Sequence, residues 1–429
     1  MKPHVRMVIT LSTFVFLVMM GYSLISPILP LYGLEFGASI VMVSMLVAAF
    51  AISRMCLDLP AGLLASKYHP KSLMLFGLAL ISSSSILCAL APNYWVLLVG
   101  RIIEGAGSAF YTTMSTTLLA LSVPPESRGK YMSIFTAMLL LGGITGPGVG
   151  GLVAAAWGLR APFYFYALVT AIGFVLVMLM VDRSAVEESG EKISLKDVTR
   201  LMREPSFLLI NLATFSLFFT RAGVTATLVP LFAYKNLHMT GAVLGGILTM
   251  TAFSTFLTMT PSGTFTDKHG RRRSMMACLA LTGVLTMLIP FATGYTMFVL
   301  VLIGYGLTLG LSGPMAAWIT DITPRKRLPA GMGLFRTVND MGFVLGPLVL
   351  GATAQFTMSD GSIGNLPFII AGVFLFIITL TLVRARDPVS EKKDIDADKE
   401  EGKDTGREKG KNKEKGVGKK SYGDLDGRP

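Results

Sequence analysis

"PPESRGKYMSIFTAMLLLGGITGPGVGG" (residues 124–151) and "PRKRLPAGMGLFRTVNDMGFVLGPLVLG" (residues 324–351) decide how this chain folds. Aligned without gaps they share Pro124/Pro324, Met132/Met332, Phe135/Phe335, Gly142/Gly342, Gly146/Gly346, Pro147/Pro347, Val149/Val349 and Gly151/Gly351. That is eight identities in 28 positions, where average residue usage gives about two. Upstream, at an offset of 201, Pro60/Pro261, Gly62/Gly263 and Lys67/Lys268 repeat as well. The chain is one unit written twice in the same direction.

What is repeated is apolar. The 429 residues are 52% hydrophobic and 15% charged, with a mean hydropathy of +0.61, whereas soluble domains are about 25% charged. The apolar residues fall into twelve blocks, approximately 7–32, 41–65, 73–91, 95–122, 131–156, 161–181, 206–232, 241–265, 274–292, 296–320, 329–356 and 365–384. Each has roughly the 20 residues a helix needs to cross the hydrocarbon layer. The expected fold is an all-α integral membrane protein of twelve transmembrane helices in two six-helix repeats. Residues 1–181 form the N-terminal bundle, 182–205 a linker, 206–384 the C-terminal bundle and 385–429 a charged tail too polar to bury a core. The first block is too long for a signal-peptide core and lacks a cleavage pattern, so it stays as a membrane helix.

Charge gives the orientation. Lys2, Arg6, Lys67, Lys71, Arg128, Lys130, Arg183, Lys192, Lys196, Arg200, Arg203, Lys268, Arg271, Arg272, Arg273, Arg325, Lys326 and Arg327 lie on one side, against Arg160 and Lys235 on the other. The positive-inside rule puts both termini in the cytoplasm, with the plasma membrane as the default location. The net charge of +12 is thereby a topology signal, and nucleic-acid binding is not expected. Cys56, Cys88 and Cys278 sit within blocks, and His4, His69, His238 and His269 lack zinc-site spacing, so no metal or other cofactor is expected. No nucleophile–base pair or phosphate loop suggests an enzyme.

Three motifs are specific. "GTFTDKHGRR" (263–272) combines Gly263, Asp267, Lys268, Gly270, Arg271 and Arg272, with glycines for close approach and a tight turn. In the first half "GLLASKYHPK" (62–71) has Ser66 in place of the acid and His69 in place of the second glycine; Asp58, four residues after Arg54, offers a substitute carboxylate or a structural i,i+4 pair. "LLVGRIIEGAGSAFY" (97–111) buries Arg101 in a membrane helix, where it needs a partner, and Glu104 is the nearest. "GGITGPGVGG" (142–151) sets Gly142, Gly146, Pro147, Gly150 and Gly151 in the pattern G-x-x-x-G-P-x-x-G-G. Small residues let membrane helices touch, and the proline bends one of them.

Together these motifs resemble the major facilitator superfamily, and the glycine pattern resembles its twelve-helix drug:proton antiporter branch. The resemblance implies alternating access around a central site, a cytoplasmic latch at 263–272, proton coupling at the Arg101 motif and export of small, amphipathic molecules. Protons are then the coupling ion, the bilayer the medium, and a monomer the expected state. Uptake or facilitated diffusion of a polar or anionic metabolite is the alternative within transport; a transporter-like receptor or assembly subunit is the alternative of another class.

Coupling needs a protonatable carboxylate near the midplane. The first helix has none before Glu35. At about 1.5 Å per residue, Asp340 and Glu104 both fall near mid-membrane, and Arg336, four residues before Asp340, offers it a structural partner. Candidate cavity residues are Tyr22, Tyr111, Phe215, Phe218, Arg221, Tyr305 and Asn339, with aromatic faces for large ligands and Arg221 for an anionic group.

Overall fold

The computed structural model describes residues 3–65, 67–123, 127–180, 199–313, 315–324, 327–359, 361–385 and 387. Most of the expected linker (182–198), the tail from 388 on and Pro124 of the repeat lie outside the described residues.

Twelve helical segments run through the described residues and are numbered α1 to α12 here. The first, α1, spans Pro3–Ile25 and resumes as Leu29–Glu35; α2 is Ile40–Leu64, α3 Pro70–Ala89, α4 Tyr94–Ser122, α5 Arg128–Trp157 and α6 Ala161–Met180. In the second half α7 runs from Pro205–Thr220 through a wide turn at Arg221–Leu228 into Val229–Lys235. Then follow α8 (Gly241–His269), α9 (Arg271–Leu288), α10 (Tyr295–Gly310, resuming as Met315–Ile322), α11 (Leu328–Phe356) and α12 (Leu366–Leu382). Eight of these are long and apolar enough to cross a membrane on length and composition alone.

The ends are set by local chemistry. Ser39 accepts from the Met42 amide at 3.3 Å, Asn93 from Val96 at 3.1 Å and His69 Nδ1 from Lys71 at 3.2 Å, each satisfying a donor that the first helical turn leaves open. Between α8 and α9 the chain turns at Gly270 with φ +91°, a backbone conformation that a side chain disfavours. Both α1 and α7 are interrupted just before Pro30 and Pro230, an offset of 200 that carries the sequence repeat into geometry.

Packing follows the same repeat. In the first half α1 lies on α5 and α6, α3 on α4 and α6, and α2 on α4; in the second, α7 lies on α11 and α12, α9 on α10 and α12, and α8 on α10. The halves meet through α5 against α8 and α2 against α11.

The glycine motif of α5 serves both kinds of contact. Gly142, Gly146 and Gly150, spaced by four, face α1: a Cβ on Gly146 stands 2.6 Å from the Met20 carbonyl oxygen and 2.6 Å from Ser23 Cβ. Gly151 faces the other half, where a Cβ meets the Gly241 carbonyl oxygen at 2.6 Å and Gly245 Cα at 3.1 Å. Gly342 and Gly346 of α11 approach α7 in the same way, while Gly351 packs against Ser44 of α2. Apart from the Ser44 and Ser23 side chains, these contacts are backbone against backbone, the packing mode by which membrane helices associate without a hydrophobic drive.

Cross-half contacts concentrate on the side opposite the termini. There the Ile40 amide donates to Gln355 Oε1 at 2.9 Å, Gly151 meets Gly241, and the Leu29–Glu35 end of α1 meets the Val229–Lys235 end of α7. Toward the termini, α5 and α11 leave Ser133, Thr136, Arg336 and Thr337 exposed.

Candidate functional site

At mid-depth, where α2 crosses α11, charged and aromatic side chains from both halves form one continuous stack. On the first half, the Tyr22 ring of α1 lies 5.0 Å from the Phe50 ring of α2. Arg101 of α4 places its guanidinium 4.7 Å from the centre of Phe50, and Arg54, one turn along α2, sits 5.9 Å from the same ring. Arg54 is also 5.9 Å from the Phe343 ring of α11, which lies 5.4 Å from Phe218 of α7. Cations against aromatic faces gain most where water is excluded. Gly105 allows this arrangement, because its missing side chain is where the backbone of Phe50 enters α4.

Two ion pairs flank the stack and differ in kind. Arg101 donates to Glu104 at 2.5 Å, as the i,i+3 spacing predicts, and to the Leu46 carbonyl at 3.4 Å. Both side chains are sealed inside the first half, 4% and 0% exposed. The second pair joins the halves: Arg54 of α2 donates to Asp340 of α11. The sequence offered Asp340 a local partner in Arg336 and Arg54 a local partner in Asp58; the fold instead binds Asp340 to an arginine 286 positions away. Asp58 lies one turn after Arg54 on α2. Asp58 Oδ1, Arg54 Nε, Asn339 Oδ1 and Glu104 Oε1 are buried without a hydrogen-bond partner.

The remaining candidates are scattered. Tyr111 is fully buried where α4 meets α3, and Phe215 packs on Phe219 and Phe374 of its own half. Tyr305 is buried in α10 and accepts from Thr225 at 3.1 Å. Arg221 opens the wide turn of α7 and is exposed. Wide turns of this kind recur at functional sites. Of the 263–272 motif, Gly263 has open space around it, Arg271 donates to Asp321 of α10 at 2.5 Å and the Arg272 amide donates to Asp387 at 3.0 Å; the side chains of Asp267 and Lys268 lie outside the described residues. Among the described residues no three His, Cys, Asp or Glu side chains are grouped to hold a metal ion.

Phe50, Phe343 and the Arg54–Asp340 pair are not evident in the sequence. A mid-helix arginine four residues from an acid reads as a local pair unless the crossing of α2 and α11 is known.

Comparison with known proteins follows this architecture. The family model described as Major Facilitator Superfamily matches residues 11–246 and 210–418. An uncharacterized MFS-type transporter of Methanocaldococcus jannaschii is 26% identical over 357 residues, covering 81% of this chain and 90% of that protein. The quinolone resistance protein NorA of Staphylococcus aureus is 28% identical over 381 residues, covering 85% and 94%. Among solved structures, the nucleoside transporter NupG superimposes with a TM-score of 0.76 at 13% identity, covering 88% of this chain and 99% of NupG. With its two matched halves, twelve helical segments and apolar spans, the chain belongs to the Major Facilitator Superfamily and is a multi-pass membrane transporter.

Proposed function

We propose that the protein exports small amphipathic molecules in exchange for protons, by rocking its halves around the stack at mid-depth. The observation that carries this reading is the ion pair that joins the halves, Arg54 of α2 with Asp340 of α11, a buried carboxylate at the seam where a proton and a conformational change act on the same group. The glycine pattern of α5 and the 28% identity to NorA support the direction of transport. The aromatic surfaces of Tyr22, Phe218 and Phe343 suit ligands with flat apolar parts. The protein acts as a monomer in the plasma membrane with both termini cytoplasmic, an orientation supported by the basic residues of the terminal side.

A second reading, transport of an anionic metabolite, is favoured by Arg221, an exposed arginine with no ion-pair partner among the described residues. One experiment addresses both. Proteoliposomes loaded at acid pH and carrying an internal pH dye are challenged with lipophilic cations, zwitterions and anions. Proton release triggered by one class, and absent with the Asp340→Asn variant, supports antiport and names the class. Equilibration of a labelled ligand with no proton release by any class overturns the antiport reading.

A further inference from the structure

We infer that Arg221 recognises a ligand carboxylate while Phe218 and Phe343 take up the aromatic ring that bears it, so that the ligand class is an aromatic carboxylate. The inference rests on the transport reading above and narrows its ligand to that class.

Depth is the first observation. The membrane span of α7 covers Pro205–Lys235, 31 residues, and Arg221 is near its middle. At about 1.5 Å per residue it lies roughly 20 Å from either end, too deep for its side chain to reach the headgroups. An arginine at that depth is retained where it faces the protein interior or water rather than lipid chains. Arg221 is nonetheless exposed and has no ion-pair partner among the described residues, where Asp340, Glu104 and Asp321 are each held by a different arginine.

The way α7 meets α10 leaves it uncovered. Thr214, Phe218, Arg221 and Thr225 follow at spacings of four, three and four, along one face of the helix. Both ends of that face are fastened to α10: Thr214 Oγ1 lies 3.3 Å from Met315 Sδ, and Thr225 Oγ1 donates to Tyr305 Oη at 3.1 Å. Between these fastenings α10 is interrupted, from Gly310 to Met315, and α7 begins its wide turn at Arg221. The backbones of α7 and of the first segment of α10 make hardly any close approach. The guanidinium therefore stands in a gap that the two helices hold between them.

Chemistry names what the gap takes. A guanidinium presents parallel N–H donors that match the two oxygens of a carboxylate. One turn before Arg221, on the same face, Phe218 lies against Phe343 of α11 with ring centroids 5.4 Å apart, and both rings are half-buried. Residues three apart on a helix have Cβ atoms about 5–6 Å apart, the scale of a carboxylate and the ring that carries it. The subsite belongs wholly to the second half, which leaves the Arg54–Asp340 pair between the halves to the proton.

The test is ligand binding by the purified full chain in lipid nanodiscs, measured by isothermal titration calorimetry at neutral pH against empty nanodiscs. The probes are naphthoate and its neutral isostere naphthamide. The wild type is expected to bind naphthoate more tightly by about tenfold or more, the scale of a hydrogen bond to a charged group. In Arg221→Gln that preference disappears while naphthamide binding stays, and in Phe218→Leu both ligands weaken alike. Arg203→Gln, which removes an exposed arginine just ahead of α7, keeps the wild-type preference. A wild type that binds the two equally, favours naphthamide or binds neither overturns the inference, as does a preference that survives in Arg221→Gln. Arg221→Lys guards against a misfolded glutamine variant: it keeps the charge without the paired donors and should show a smaller preference, and an undiminished one overturns the inference too. Naphthoate binding through Arg221 without proton release in the liposome experiment upholds the site and rejects proton-coupled export. Proton release triggered by lipophilic cations, from a protein whose naphthoate binding ignores Arg221, does the reverse.

Discussion

Replacing Gly151 by Ala should shift the protein away from the conformation described here without unfolding either half. The added Cβ would stand 2.6 Å from the Gly241 carbonyl oxygen and 3.1 Å from both Ala242 Cα and Gly245 Cα, all backbone atoms that cannot rotate away. Overpacking of this kind costs about 1–3 kcal/mol. The clash exists only while α5 and α8 touch on the side opposite the termini, so the cost falls on one of the two alternating states. At about 1.4 kcal/mol per factor of ten, the equilibrium moves roughly 5- to 140-fold toward the state open on that side. Gly246→Ala is the control, because nothing lies within 4 Å of its Cβ, and both variants share the helix-propensity gain of about 1 kcal/mol. Spin-label distances across the far side report the population. If Gly151→Ala and Gly246→Ala give the same distribution, the seam does not gate the protein and the reasoning fails.

Other consequences can be measured on purified protein. Gly146→Ala presses on α1 within one half and should lower the melting temperature while leaving the conformational equilibrium alone, a difference that thermal denaturation and spin-label distances resolve together. Arg101→Ala strands a fully buried Glu104 and should cost about 3–5 kcal/mol; Arg101→Met with Glu104→Gln should recover most of it, as read by melting temperature. Arg54→Ala leaves Asp340 without its cation and should destabilise more than the double variant Arg54→Ala, Asp340→Ala, a comparison made by a double-mutant cycle of melting temperatures. Tyr305→Phe removes the hydrogen bond with Thr225 and should cost about 1 kcal/mol, checked in the same way.

The twelve spans and the twofold repeat were legible because the bilayer imposes length and apolarity on every crossing, a signal local to each stretch of chain. The Arg101–Glu104 pair was legible for a similar reason: its partners are one helical turn apart. Arg54 and Asp340 were not, since 286 positions separate them and each has a closer plausible partner in sequence. Phe50 and Phe343 are ordinary apolar residues of α2 and α11 until the crossing brings an arginine between them. Glycines announce close contact in sequence but not its target. Only the fold divides 142, 146 and 150, which face α1, from 151, which faces α8.

That division has a consequence for how fast and how often the molecule can cycle. The contact of Gly151 with Gly241 and Gly245 is made by groups with no rotatable side chain. Parting such a surface releases almost no frozen torsions and re-forming it requires none to be found again, whereas immobilising long side chains costs as much as about 2 kcal/mol apiece. The far-side closure at α5 and α8 therefore works like two smooth plates rather than interlocking teeth. At the contact of Gly151 with Gly241 and Gly245 no misfitted rotamer can be trapped, and the ease of parting and re-forming it follows from what the sequence omits at these positions.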